Sequence, residues 1–449
     1  MISLLRAYKR IIVFLLIFAY AAFRVVHPDE DGRFFDLFFI ALLVMLIASQ
    51  LFWIRRILDL GERFIPGKLR RAWLAVIASA VYLFFFAYSS THLGVVHLAT
   101  MGHTIGATDA RLRSVLMEGA FTWWLVGSWL GFGLVIVFWT VDRVVRAAAR
   151  AYRLARDAAA AHIAAPKPAP VAVFSPARRH FLEQTAIALS ATPFVAAAYG
   201  LLYGRLDVEV TRRRIRLRRL PKAFEGFRIA QLSDIHISPF MTPDEIRRCV
   251  TITNQLKADL VVMTGDFVTD DPSAEGPVVQ ALSALKAPFG VFGCLGSHEA
   301  ITRTEDSITR LFAVQGIHIL RQERAAIRLG NDTLNLIGVD DSQPDLKGIE
   351  RLVMPDTVNI LLCYFPSDFD HAAELGIDLM LAGFTHGGQL SLEFLRRGIC
   401  LARFDTPYVS GWYEKSGGQL YVNRGIGTTG PPIRLGARPE ISVFELSRT

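Results

Sequence analysis

The chain is 449 residues long with a formal net charge of +8, and 52% of its residues are hydrophobic; its mean hydropathy is +0.34. The length leaves room for two or three domains. The hydropathy excludes a wholly soluble protein, so part of the chain is expected in lipid.

The long apolar runs come first. Residues 11–26, 35–54, 72–90 and 120–141 each approach the ~20 residues that span a bilayer, and none shows a polar face at helical spacing. They predict a four-span transmembrane region over 1–141. Arg6, Lys9 and Arg10 precede the first run, Asp29, Glu30 and Asp31 follow it, and Arg55, Arg56, Arg63, Lys68, Arg70 and Arg71 follow the second. This charge pattern places the N-terminus in the cytoplasm.

A basic juxtamembrane helix and an Ala/Pro linker fill 142–180. In the helix Arg143, Arg146, Arg150, Arg153 and Arg156 recur every three or four residues, forming one stripe suited to anionic headgroups or to solvent. Residues 181–204 make a fifth apolar run, read as a transmembrane or signal-anchor helix. Arg178 and Arg179 before it resemble a twin-arginine export motif, with Glu183 where such motifs carry lysine. If this run spans, everything from 205 to 449 is exported, giving a multi-pass protein of the bacterial inner membrane with an extracytoplasmic C-terminal domain. The seven arginines from Arg205 to Arg219 oppose export, but long domains translocate largely regardless of charge.

From about residue 206 the pattern changes to short apolar runs: "FRIAQL", "LVVM", "GVFGCL", "NILLC" and "DLMLA". Each lacks polar alternation and ends in polar residues, as strands buried on both faces do, which predicts an α/β architecture. Between them "TPDEIRRCVTITNQLK" reads as a helix capped by Thr242 with Pro243 in its first turn. Cys249, Cys294, Cys363 and Cys400 all lie in this region without zinc-site spacing, and Cys294 and Cys363 fall inside strand-like runs, where buried thiols are ordinary.

The polar residues after the strands carry the chemistry. They are Asp234 and His236 in "SDIH", Asp266 in "TGD", His298 in "GSHE" and His386 in "GFTHGG". Read as an extended segment, "DIH" turns Asp234 and His236 to one side, where a carboxylate and an imidazole can share a divalent ion. Singly, each residue is explained as a turn former or a local hydrogen-bond partner. Five gathered at strand ends are not.

These motifs, together with "KADLVVMTGD", "GVDD" at 338–341 and "YVNRGIGTTGPPIRLGARPEI", resemble the calcineurin-like metallophosphoesterases, in particular a membrane-associated or exported bacterial branch, over about 206–446. The resemblance implies a β-sandwich flanked by helices over 205–449, with two metal ions between strand-end loops. It makes Asp234, His236, Asp266 and His386 the ligands of the first ion (Mn, Fe or Zn) and His298 a general acid beside the phosphate. The second ion would share Asp266 and take an asparagine and two histidines; this sequence has Ser297, Tyr364 and Phe384 there. A hydroxyl, a phenol and a carbon ring do not match imidazole as ligands, and the spacing of His318 or His371 recommends neither as a replacement. One well-made metal site is expected, with the second absent or weak.

Two functions follow. One is a membrane-anchored hydrolase of phosphoester or pyrophosphate bonds, with the bilayer as partner and phosphorylated or nucleotide-linked lipids as candidate substrates. The alternative is a catalytically inactive pseudo-phosphoesterase acting as a ligand-binding sensor or scaffold. Nucleic acid is not expected as a partner, because "TRRRIRLRRL" lacks the interleaved aromatics that stack on bases. Its alternation from Arg214 to Arg218 reads as a strand with arginines on one face.

Overall fold

The computed structural model describes residues 44–57, 118–161, 176–340, 348–391, 400–415 and 417–448, with the single positions Gly67, Trp73, Val76 and Leu346. The chain divides into two units, one of residues 1–105 and 120–198 and one of 106–119 and 199–449.

In the first unit, 44–57 is helical and is followed by α1 (Ala120–Ala161) and α2 (Pro176–Leu202). The apolar run 120–141 and the arginine stripe therefore form one continuous helix. Its segment Ala120–Arg156 is, among the described residues, the one helix long and apolar enough to cross a membrane by length and composition. Polar side chains between helices find partners: Trp53 Nε1 and Ser49 Oγ donate to the Ser128 carbonyl at 2.8 and 2.9 Å, and Trp124 Nε1 donates to Gln50 Oε1 at 2.7 Å. Such pairing is what an apolar surrounding demands of any buried donor. The expected spans at 11–26 and 72–90, apart from Trp73 and Val76, lie outside the described residues, as does the start of 35–54.

The second unit is a two-sheet sandwich. One sheet has the order β1 (Glu209–Leu217), β12 (Glu440–Arg448), β2 (Arg228–Ser233), β3 (Leu260–Thr264), β4 (Val291–Cys294), β5 (Ile317–Ile319). The other has the order β10 (Gly411–Lys415), β11 (Gly418–Val422), β9 (Leu379–Ala382), β8 (Val358–Leu362), β7 (Asp332–Gly338), β6 (Glu323–Leu329). The unalternating strands have a simple cause. Ile229, Leu260 and Val262 face the opposite sheet and pack with Leu336, Ile360, Leu379 and Leu381. Their neighbours Ala230, Leu232, Val261 and Met263 face outward under α3 (Pro243–Gln255) and α4 (Glu275–Leu282), meeting Ile246, Val250, Val278 and Leu282. Both faces are dry, so both alternate positions are apolar.

The α3 cap is the expected one: Thr242 accepts from the Glu245 N–H, and Glu245 accepts from the Thr242 N–H at 2.7 Å. All four cysteines are free and buried. Strands β2, β3 and β4 run parallel, which lays their C-terminal ends side by side, the arrangement in which loop residues from several strands can converge.

Candidate metal centre

The sequence-predicted residues leave those strand ends together. Asp234 and His236 follow β2, Asp266 follows β3, and His298 sits in the short helix α5 (Ser297–Thr302) after β4. His386 comes from the opposite sheet, after β9.

The "DIH" segment is not extended as expected, and neither is "FTH". Asp234, His236, Asp266, Phe384 and His386 all have positive φ, between 47° and 74°, and they are five of the ten such non-glycine residues among those described. Left-handed kinks bring the side chains to one point where a straight strand would carry them past it, at a cost on the order of 1–3 kcal/mol each. Backbone ties hold the kinks: the Asp234 N–H donates to the Gly265 carbonyl at 3.2 Å and the His236 N–H to the Asp266 carbonyl at 2.9 Å.

His236 Nε2 stands 3.2 Å from Asp266 Oδ2 and 3.1 Å from His386 Nε2, which in turn is 3.5 Å from Asp234 Oδ1. Asp234, His236 and His386 each offer a ligand atom within 4.8 Å of the others, and so do His236, Asp266 and His298. Asp234, His236, Asp266 and His386 are buried. Asp234 Oδ1 accepts from the Phe384 N–H at 3.0 Å, but Oδ2 is buried with no hydrogen-bond partner. An ionised oxygen left in that state is costly unless a cation answers it. Two carboxylates and two imidazoles suit Mn, Fe or Zn.

The protonation pattern agrees. Burial and the nearby Asp266 push Asp234 up to about 7. Against the penalty of burial, His236, His298 and the Tyr364 hydroxyl hold Asp266 below the usual carboxylate range. Burial, His236 and Arg434 drive His386 well below its ordinary value, so its imidazole is neutral and keeps a lone pair.

Two residues that sequence reasoning missed support this centre. Arg434, fully buried, donates to the carbonyls of His386, Arg424, Gly425, Gly427 and Ala437. Its Nη2 lies 3.2 Å from His386 Nδ1, and the Gly427 carbonyl hydrogen-bonds the same imidazole. Arg434 is itself gripped by the chain entering the sandwich: its N–H donates to the Gly200 carbonyl at 3.3 Å, and a Cβ on Gly204 would collide with its carbonyl oxygen. Glu299 accepts from the N–H groups of Asp266, Phe267, Val268 and Gly296 at 2.7 to 3.1 Å. Burial and Asp266 push its carboxyl up to about 8 while those N–H groups pull against them. Glu299 thereby fixes the loop that carries Asp266.

On the far side of Asp266 the chemistry changes. The Tyr364 hydroxyl donates to Asp266 Oδ2, and Ser297 Oγ lies 3.4 Å from Tyr364. Burial and Asp266 hold the Tyr364 phenol well above its usual value, so it stays protonated. The Phe384 ring packs against Tyr364 at 5.5 Å and Phe365 at 4.9 Å. His298 Nδ1 is 2.6 Å from the Thr269 carbonyl, the His298 backbone N–H donates to Asp266 Oδ1 at 2.9 Å, and the His298 ring stands edge-on to His236 at 4.7 Å. His318 of β5 lies over Phe292 of β4, and His371 is exposed in the short helix Phe369–Glu374, so neither joins the cluster.

Comparison with known proteins gives a consistent picture. Residues 227–397 match the model of the calcineurin-like phosphoesterase family. Over 283 residues the chain is 31% identical to the uncharacterized metallophosphoesterase YkuE of Bacillus subtilis, covering 61% of this chain and 98% of that one. It is 29% identical over 286 residues to the Danio rerio transmembrane protein with metallophosphoesterase domain, covering 59% of this chain and 63% of that one. The phosphodiesterase YaeI of Escherichia coli is 27% identical over 272 residues, covering 60% of this chain and 98% of that one.

Proposed function

Because the chain belongs to the calcineurin-like phosphoesterase family, we propose that it is a membrane-anchored hydrolase of phosphoester or pyrophosphate bonds that works with one divalent cation held by Asp234, His236, Asp266 and His386. The observation that carries this reading is the buried cluster itself, with Asp234 Oδ2 unpaired within it. A cation in such a site polarises a phosphoryl oxygen and lowers the pKa of a water.

His298 supplies the acid. The Thr269 carbonyl takes its Nδ1–H, which leaves Nε2 as the nitrogen that exchanges a proton with the leaving oxygen. Such an acid contributes typically ~10²–10⁴-fold. Arg434 and Glu299 orient, and the Tyr364, Phe365 and Phe384 rings exclude water from the flank of Asp266.

The second cation of the family does not fit the residues present. A protonated phenol already donates to the shared carboxylate, Ser297 adds only a neutral hydroxyl, and Phe384 has no lone pair. That same Tyr364–Asp266 contact favours a second reading, a catalytically silent domain that keeps one cation for ligand binding. Hydrolysis of a generic phosphodiester separates the two readings: turnover that falls at least ~100-fold in His298→Ala, with metal content unchanged, supports the hydrolase, and no turnover by the native chain supports the silent domain.

Anchoring is supported by the transmembrane relative and by the apolar surface of α1, where Val137, Phe138, Val141, Val144 and Val145 are exposed. On this reading the bilayer is the partner, phosphorylated or nucleotide-linked lipids are the substrate class, nucleic acid is not bound, and the sandwich lies outside the inner membrane of a bacterium.

A further inference from the structure

Strand β1 carries an arginine cluster that the catalytic reading leaves unused. It lines a groove of about 800 Å³ between β1 at the edge of one sheet and β10 and β11 at the edge of the other. Arg213, Arg214, Arg216, Arg218 and Arg219 contribute from β1 and the turn after it, and Trp412 from β10.

The charges are unevenly answered. Asp378 holds Arg219 through two oxygens at 2.8 and 3.0 Å, and Glu445 holds Arg214 at 2.5 Å. The Arg213 guanidinium lies over the Trp412 ring at 4.6 Å. Arg216 and Arg218 are exposed, and among the described residues neither has an acidic partner. The groove is also remote from the cation cluster. Arg216 is level with Ser447 and Gln231 with Ser442, and Asp234 lies three residues further the other way; that is roughly 26 Å of strand.

We propose that this groove is a second anion-binding site, for a ligand bearing two or more phosphate groups. All five cations are arginines, whose planar forks match phosphate oxygens bidentately in a way that lysine does not. Two of them stand free two residues apart, Arg216 near the end of β1 and Arg218 in the turn after it, set to take separate phosphates. The phosphates belong either to a soluble polyphosphorylated molecule or to anionic lipid headgroups, since the chemistry is shared.

The test uses the full chain in an uncharged detergent with chelator present, so that no cation in the catalytic cluster holds the probe. Tripolyphosphate is titrated by calorimetry, and phosphatidylglycerol against phosphatidylcholine nanodiscs in a parallel arm. The pair Arg216→Ala and Arg218→Ala is made together, with thermal unfolding as the check on folding. Tripolyphosphate bound by the native chain and weakened at least tenfold in the pair supports a soluble ligand. Phosphatidylglycerol bound alone, with the same loss, supports headgroups. Binding of neither probe, or binding unchanged in a folded pair, overturns the proposal and leaves the arginines as guards of an open strand edge.

Discussion

Arg434 Nη2 lies 3.2 Å from Nδ1 of His386, and both side chains are buried. One guanidinium thus gathers five carbonyls and packs beside the ring of His386. Replacing Arg434 by Met leaves those carbonyls without donors. The expected loss is at least about 3 kcal/mol of stability and ~10–100-fold in cation affinity, read by thermal unfolding and metal titration. Arg434→Lys, which keeps the charge but not the fork, is expected between the two.

The same residue is held by the segment 199–204 that opens the second unit. Gly200 packs where a Cβ would stand 2.6 Å from Ile433 Cγ2 and 2.9 Å from the Arg434 carbonyl oxygen, and Gly204 is tighter still. Gly204→Val in the full chain is expected to cost about 1–3 kcal/mol and to weaken metal binding with it. A variant of unchanged metal affinity would separate the helix end from the centre.

Rebuilding the family's ligands tests the other flank. Ser297→Asn, Tyr364→His and Phe384→His together remove the hydroxyl that occupies Asp266 and supply the missing donors. The triple variant is expected to take up a second ion and to hydrolyse a phosphodiester faster than the native chain. No second ion in a folded triple variant would show that the pocket has changed beyond these three positions.

Stability toward acid turns on Glu440. Despite its burial, Arg424 and the hydroxyls of Thr211 and Tyr421 hold its carboxyl below the ordinary 4.5, and Arg424 Nε donates to it at 2.8 Å. A depressed folded pKa means stabilisation that is present above the unfolded value and lost as pH falls through the folded one. Glu440→Gln is therefore expected to cost about 1.5–3 kcal/mol at pH 7, with the gap to the native chain closing below about pH 4. A gap that stays constant down to acid unfolding would assign the effect to packing.

The sandwich was partly written in the strands: "FRIAQL" and "LVVM" lack alternation because Ile229 and Val262 face one dry layer while Ala230 and Met263 face another. The order of strands in each sheet was not, since pairings such as β12 beside β1 join segments more than two hundred residues apart. All five site residues came together as their motifs implied. Their backbone did not, because left-handed φ at Asp234, His236 and His386 is imposed by the loops around them and not by residue type. Glu299 had a signal that went unread, standing three residues after Gly296 at the position of a capping acid. Arg434 had none. An arginine in "PPIRLG" looks like surface, and only the fold collects five carbonyls around it.

The central claim is that one cation's ligands are complete while its neighbour's are not. Elemental analysis of the purified full chain, after equilibration with excess Mn, Fe or Zn and removal of unbound metal, measures this directly. The account predicts one ion per chain, lost in Asp234→Asn and retained in Tyr364→Phe. Two tightly held ions per native chain would contradict it.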